Sequence, residues 1–128
     1  MCRKAFPTIM RRMAVESRRS QMLRGVLDLC LLAVIEDEPA YGYEMTRRLR
    51  ERGLSTVGEG SIYPLLARLE RDGLVATHRM ASDGGPPRKY YRASPTGRRT
   101  LAEGARVWRG VRGEVDAILA NVDAEVGA

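Results

Sequence analysis

The sequence predicts a mainly α-helical chain with one small β-hairpin and a long C-terminal helix. Apolar residues recur at helical spacing in three successive segments of the first half of the chain. Two short segments rich in apolar, β-branched or tyrosine residues then flank a turn rich in glycine and proline, and a seven-residue apolar repeat follows. The length of 128 residues, with 44% apolar and 30% charged residues, suits one globular domain.

The three helices are predicted at about residues 20–36, 41–52 and 61–72. Gly53 and Gly73 are expected to end the second and third helices. Pro64 is expected in the first turn of the third helix, where its missing N–H costs little because those donors are unpaired anyway. Residues 1–19 show no sustained periodicity, so we expect a basic and flexible arm there.

The hairpin is predicted from strands at residues 74–80 and 88–93, with a turn at residues 82–87. Ser94 and Pro95 are expected as N-cap and first residue of the last helix, which runs to about residue 121. The order of helix, helix, tight turn, helix and hairpin is that of a winged helix-turn-helix. We assign it to residues 20–93.

The last helix, within residues 94–122, carries a coiled-coil-like seam. Leu101, Trp108, Val115 and Val122 repeat at one position, and Val111 and Ile118 occupy the other. Three glycines weaken this helix, so we expect it to need a partner surface. Residues 123–128 are expected to form a tail.

Composition argues against several other classes of protein. The longest apolar run, residues 29–35, is too short to cross a bilayer, and no secretory signal is seen. Two distant cysteines, Cys2 and Cys30, make no disulfide framework, so a cytoplasmic protein is expected. With one histidine, His78, there is no metal-ligand spacing and no catalytic constellation. We therefore expect no metal, no cofactor, no membrane association and no enzymatic activity.

Positive charge is concentrated in two parts of a chain whose formal net charge is +6. Residues 1–25 hold seven basic side chains and one acidic, and residues 60–92 hold six basic and three acidic. A clustered basic surface suits a phosphate backbone. Ordinary solubilising charge explains the clustering equally well, so charge alone does not decide.

The third helix adds a more specific argument. Its apolar stripe of Ile62, Leu65, Leu66 and Leu69 leaves Ser61, Tyr63, Pro64, Arg68 and Arg71 on the opposite face. An α-helix fits the major groove of DNA, where arginine pairs with guanine edges. Arg88 and Lys89, at the downstream base of the hairpin turn, are placed for backbone phosphates or the minor groove.

Three segments closely resemble the PadR family of transcriptional regulators. They are the Tyr-Gly-Tyr-Glu of residues 41–44, residues 60–75 with Tyr63 and Pro64, and the Arg-Lys-Tyr-Tyr-Arg of residues 88–92. The resemblance spans about residues 22–120. The short C-terminal region, with its one long helix, is similar to that of the compact subfamily. The sequence departs from the family pattern in two features: its basic N-terminal arm is longer, and Ala93 stands where the family more often has leucine. The resemblance implies a homodimer, usually a repressor, that binds a pseudo-palindromic duplex and is often released by a small molecule or a stress signal.

The resemblance also implies roles for individual residues. The positions that match DNA-contacting ones are Ser61, Tyr63, Pro64 and Arg68 in the recognition helix, Arg88, Lys89 and Tyr90 in the wing, and Tyr43 in the second helix. The residues expected to hold the dimer are Leu23, Leu27, Leu101, Trp108, Val111, Val115 and Ile118. For Tyr41 and Tyr91 core packing is the favoured interpretation, and for the arginines of residues 47–52 a solvated helix surface.

Trp108 resembles an aromatic position that lines a cavity between subunits in some members of the family. Such a cavity suits a small aromatic or cationic effector, and Met22 is a candidate to share it. A packed seam residue is an equally good interpretation of Trp108.

Two other functions remain open at this point. A winged-helix module that binds proteins would not need Arg68, Arg88 and Lys89 on one side. An RNA-binding protein of ribosomal type would prefer single strands or hairpins and would need no dimer seam.

Overall fold

The computed structural model describes residues 7–55 and 57–122 and confirms a mainly helical chain with a small antiparallel sheet. The elements follow in the order α1 (Thr8–Leu23), α2 (Leu27–Asp37), β1 (Ala40–Tyr41), α3 (Gly42–Glu51), α4 (Glu59–Arg71), β2 (Val75–Ser82), β3 (Gly85–Ala93) and α5 (Pro95–Leu119).

Helices α2, α3 and α4 pack around one apolar core that the sheet closes on one side. The largest fully buried side chains are Leu31, Leu32, Ile35, Met45, Ile62, Leu66 and Leu69. Fully burying a side chain of this size contributes about 1.5–3 kcal/mol, so these positions fix how the three helices face one another. Val75, Tyr91 and Ala93 contribute the buried face of the sheet.

The turn between α3 and α4 is held by its backbone and by one arginine. Gly53 has a φ of 113°, a left-handed conformation that favours glycine, and the N–H of Leu54 donates to the carbonyl of Leu49 at 3.0 Å. The Arg50 Nε donates to the carbonyl oxygen of Val57 at 2.8 Å. These bonds set the entry of the chain into α4.

The sheet has the order β1-β3-β2 and is antiparallel throughout. Strand β1 pairs Ala40 with Tyr91 and was not predicted, because two residues show no alternation. The β2–β3 hairpin is longer than predicted, since its turn is reduced to Asp83 and Gly84, with a φ of 71° at Gly84. Pro86 and Pro87 lie next to this turn at the start of β3, where few ladder hydrogen bonds are lost.

The structure shows a helix in the N-terminal part of the chain, where the sequence predicted an arm and no helix. Residues 8–19 belong to α1, none of whose residues is buried. Their helicity comes from good helix formers rather than from an apolar period, so a search for periodicity missed it. The predicted helix at residues 20–36 is also interrupted, because α1 ends at Leu23 and α2 starts at Leu27, on either side of Gly25. Residues 1–6 lie outside the described part of the chain.

Helix α4 begins at Glu59, two residues before its predicted start. Pro64 is therefore wrongly predicted in the first turn and lies inside the helix. Its missing N–H leaves the carbonyl of Gly60 without the usual helical donor. Gly60 is exposed, so water can supply that hydrogen bond.

Helix α5 begins as predicted. The Oγ of Ser94 accepts a hydrogen bond from the N–H of Gly97 at 3.0 Å, and Pro95 follows as the first residue. Gly97 packs on the backbone of Leu74, and Gly104 packs on the side chain of Leu29. From Arg106 onward every described residue of α5 is exposed, and residues 123–128 lie outside the described part of the chain.

Replacing Gly97 by alanine is expected to lower the free energy of unfolding by about 1–3 kcal/mol, because the new Cβ would collide with the carbonyl group of Leu74. Backbone cannot rotate away as a side chain can. The measurement is urea denaturation followed by circular dichroism at one fixed protein concentration.

Gly110→Ala is the matched control on the same helix, since no atom lies within 4 Å of a Cβ built there. It is expected to raise stability by up to about 1 kcal/mol. Equal stability changes in the two variants would contradict the close packing of α5 on Leu74.

Candidate nucleic-acid interface

Helix α4 divides into a buried stripe and three exposed strips. Ile62, Leu66 and Leu69 are buried, which fixes the rotation of the helix about its axis. Successive residues of a helix are rotated by about 100°, which defines a strip directly opposite the core. All members of this strip except the last have short side chains. It consists of Gly60, Pro64, Ala67 and Arg71, all exposed. Ser61 and Arg68 lie on one flank, and Tyr63 and Glu70 lie on the other.

The ring of Tyr63 lies against the first turn of α3. A Cβ built on Gly42 would be 2.6 Å from the Cε1 atom of Tyr63, so only glycine leaves room for the ring in this position. Partial burial and the neighbouring Glu59 raise the pKa of the Tyr63 hydroxyl. The hydroxyl therefore stays protonated and able to donate a hydrogen bond. This contact explains physically why a glycine stands between Tyr41 and Tyr43.

Glu70 joins α4 to the hairpin. The Lys89 Nζ lies 2.9 Å from Glu70 Oε1, and the Oγ1 of Thr77 donates to Glu70 Oε2 at 3.5 Å. Arg79 is the cross-strand partner of Lys89 and adds a second cation on the same face of the sheet. The ammonium of Lys89 also lies 5.5 Å from the centre of the Tyr91 ring.

The opposite face of the sheet carries a row of aromatic side chains. The ring centres of Tyr41 and Tyr90 are 5.4 Å apart, and those of Tyr90 and His78 are 5.7 Å apart. The guanidinium of Arg88 lies 4.5 Å above the Tyr41 ring. Tyr43, which is 55% exposed, stacks at 6.5 Å from Tyr41 and extends the row onto α3.

The predicted wing residues are therefore split between two faces. Lys89 lies beside α4, whereas Arg88 and Tyr90 lie on the aromatic face, because neighbouring residues of a strand point to opposite sides. Sequence reasoning missed Glu70 and Arg79. The pairing of β2 with β3 places Arg79 opposite Lys89. Arg79 could have been found from the sequence only by predicting this register of the hairpin.

Core packing was the favoured interpretation of both Tyr41 and Tyr91, and the structure buries them to different degrees. Tyr91 is buried in the core, as expected. Tyr41 is half-buried, and the N–H of Tyr41 donates to the carboxylate of Glu44 at 3.4 Å at the start of α3. The arginines of residues 47–52 are exposed except for the half-buried Arg48. Arg48 pairs with Glu38, and Arg52 pairs with Asp37.

The residues predicted to hold a dimer fall into two groups. Leu27 and Leu101 pack against the apolar core, and Leu23 is half-buried. The others form an exposed apolar stripe along the second half of α5, which we call the α5 stripe. Its predicted members are Trp108, Val111, Val115 and Ile118, with exposed fractions of 42%, 45%, 45% and 76%. Met22, near the end of α1, is 69% exposed.

Other kinds of site find no support in residues 7–55 and 57–122. There the structure holds no group of three or more His, Cys, Asp or Glu side chains arranged for a metal ion. None of the described helices combines the length and the apolar character needed to cross a membrane.

Comparison with known proteins gives one consistent family. The model of the transcriptional regulator PadR-like family matches residues 31–103. The transcriptional regulator Rv3488 of Mycobacterium tuberculosis is 36% identical over 92 residues, which cover 72% of this chain and 84% of the relative.

Two crystal structures are similar in fold as well as in sequence. A PadR-like transcriptional regulator from Bacillus cereus is 42% identical with a TM-score of 0.70, covering 77% of this chain and 96% of that one. A PadR family transcriptional regulator from Eggerthella lenta is 32% identical with a TM-score of 0.78, covering 91% of this chain and 100% of that one.

The Glu70–Lys89 contact predicts a measurable shift. The hydrogen bond that the Lys89 ammonium donates to the Glu70 carboxylate is the main cause that raises the pKa of Lys89 above its ordinary value of 10.5. Glu70→Gln is therefore expected to lower the pKa of Lys89. The ammonium form makes the contact, so the contact is lost as pH rises through the pKa of Lys89.

The measurement is an NMR pH titration of the lysine Cε signals. Lys4, the other lysine of the sequence, gives the comparison signal. An equal pKa for Lys89 in the wild type and in Glu70→Gln would contradict this contact in solution.

Proposed function

Because this chain belongs to the PadR-like family of transcriptional regulators, we propose that it binds operator DNA as a homodimer and represses transcription. The observation that carries the proposal is the exposed strip of α4, flanked by Arg68 on one side and by the wing on the other. Its buried stripe already anchors the helix to the core, so the exposed strip is available to a groove.

Helix α4 suits the major groove because the strip opposite the core begins with short side chains. Gly60, Pro64 and Ala67 let the helix approach the base pairs closely. Arg68 then reaches a guanine edge or a phosphate, and Ser61 and Tyr63 donate hydrogen bonds from either flank. Within the described residues no carboxylate lies within 4.0 Å of the Arg68 guanidinium, so its charge is free for DNA.

The wing supplies backbone contacts in this proposal. Lys89, with the neighbouring Arg79, is placed beside α4 and meets phosphates that flank the groove. Arg88 and Tyr90 meet the duplex from the aromatic face, together with Tyr43. Lys89 exchanges its carboxylate partner for a phosphate, so its net gain on binding is smaller than that of Arg68.

The α5 stripe supports the homodimer. It continues the apolar side of α5 that packs on the core at Leu101 into the second half of the helix, where every described residue is exposed. Soluble monomers rarely expose contiguous apolar surface of this kind, so a second copy is the natural cover. A two-fold dimer presents two α4 helices to successive major grooves, roughly 34 Å apart, and selects a pseudo-palindromic site.

The effector in this proposal is a small flat molecule, aromatic or cationic, held between the subunits at Trp108. Trp108 is the first residue of the α5 stripe, where a large π-surface can stack on such a ligand. Met22 is the candidate from α1 to share that cavity. Binding there releases the repressor by changing the spacing of the two α4 helices.

Charge reversal tests the DNA surface. Arg68→Glu is expected to weaken binding to an operator duplex by at least about tenfold, since a phosphate or base contact is worth about 1–3 kcal/mol. The duplex is selected by the wild-type protein from a random library. Binding is followed by fluorescence anisotropy at one fixed salt concentration, because affinity for DNA falls steeply with salt.

Arg106→Glu makes the same charge change on α5, away from α4, and is expected to have a much smaller effect. Equal losses in the two variants would mean that overall charge, and not the α4 surface, carries binding. Retention of wild-type affinity by Arg68→Glu would contradict the proposed interface.

The α5 stripe is tested by Val115→Asp. A carboxylate buried between two helices is costly, so the variant is expected to be monomeric at micromolar concentration. Size-exclusion chromatography with light scattering should give twice the 14.3 kDa chain mass for the wild type and the single mass for the variant. Ala117→Asp places the same charge on the other side of α5 and should stay dimeric. A monomeric wild-type protein would refute the dimer.

A further inference from the structure

A cleft of about 330 Å³ lies between the α1–α2 junction and α4. Its apolar lining includes Leu27, Val57 and Leu65. Leu27 and Leu65 pack against the core, and Val57 is 4% exposed, so this lining belongs to the fixed part of the fold. The volume is at the lower end of small-molecule sites, about 300–1,000 Å³.

The charged residues of this cleft are all basic. Arg24 lines it from the end of α1 and Arg68 lines it from α4. Among the residues that the structure describes, neither guanidinium has a carboxylate within 4.0 Å. Most other arginines of the fold between α2 and β2 are paired, among them Arg47, Arg48 and Arg52. Ser20 and Ser61 add two hydroxyl groups.

We propose that this cleft binds a small amphipathic monoanion, a carboxylate attached to an apolar body. The apolar body covers the leucine and valine lining and gains from leaving water. The carboxylate accepts charge-assisted hydrogen bonds from Arg24 and Arg68. A neutral apolar molecule would leave the two cations unpaired, and a free inorganic anion would leave the apolar lining uncovered.

A ligand in this cleft would act on DNA binding directly. Ser61, Pro64 and Arg68 line the cleft and also belong to the exposed surface of α4 that we propose to contact DNA. An anion bound to Arg68 uses the charge that a DNA phosphate or base would use, so each ligand weakens the other to the same degree. This regulatory step rests on the proposed function, whereas binding of the anion itself does not.

The cleft is separate from the Trp108 position, which is not among its lining residues. Its α1 wall lies before residue 31, outside the matched residues 31–103. The ligand class also differs, because the Trp108 position suits a flat aromatic or cationic molecule and two arginines select an anion.

The direct test uses octanoate as the probe and octanol as its uncharged match. Isothermal titration of the full-length protein, without DNA, should show octanoate binding at least about tenfold more tightly than octanol, as expected for charge-assisted hydrogen bonds. With the selected duplex, saturating octanoate should raise the Kd for DNA by about tenfold, within the usual range of coupling between sites.

Arg24→Gln separates the cleft from the DNA surface, because Arg24 is not among the proposed DNA contacts. It should weaken octanoate binding about tenfold and leave duplex affinity within about twofold of the wild type. Arg18→Gln, on the same helix but outside the cleft lining, should change neither. Thermal unfolding of both variants by circular dichroism checks that α1 and the core are retained.

Three results would overturn the proposal: no octanoate binding, equal binding of octanol, or unchanged octanoate binding in Arg24→Gln. Loss of octanoate binding in Trp108→Ala but not in Arg24→Gln would assign the ligand to α5 and would equally refute the cleft. If octanoate binds in an Arg24-dependent manner but no duplex is bound, the proposed function fails and the cleft stands.

Discussion

Helix α4 is anchored by the burial of Ile62, Leu66 and Leu69, and the rest of the structure depends on that anchor. With these three side chains at 0–1% exposure, the helix cannot rotate about its axis without opening the core. The rotation decides which residues are exposed, so the same constraint fixes the positions of Arg68 and Tyr63. Loss of one of these apolar side chains would therefore change the exposed surface as well as stability.

Glu70 has an unusual place on a surface proposed to meet a polyanion. Its carboxylate lies on the flank of α4 and would repel phosphates if it were free. Contact with Lys89 and Thr77 offsets that charge and fixes the hairpin relative to α4. The wing is thereby held in one orientation, and the Lys89 ammonium is paired with Glu70 when no DNA is bound.

The sequence predicted the elements that show a regular pattern and missed contacts between distant residues. The stripe of α4, the hairpin and the Ser94 cap follow from spacing and local chemistry, and the structure confirms them. The start of α4 was misplaced because Gly58 and Gly60 have the composition of a turn. Helix α1 has helix-forming residues but no buried face, and the Glu70–Lys89 pair joins residues 19 positions apart, so neither leaves a periodic signal.

The junction between α4 and α5 links the two surfaces that the proposed function requires. Gly73, with a φ of 75°, ends α4, and its carbonyl accepts a hydrogen bond from the Oγ of Ser94 at 2.7 Å. The N–H of Ser94 donates to the carbonyl of Leu74 at 3.0 Å, and Gly97 packs on the same residue. The helix that carries the α5 stripe thus starts directly on the end of α4. A tilt of α5 within a dimer would be passed to α4 through backbone bonds, and the distance between two α4 helices would change with it.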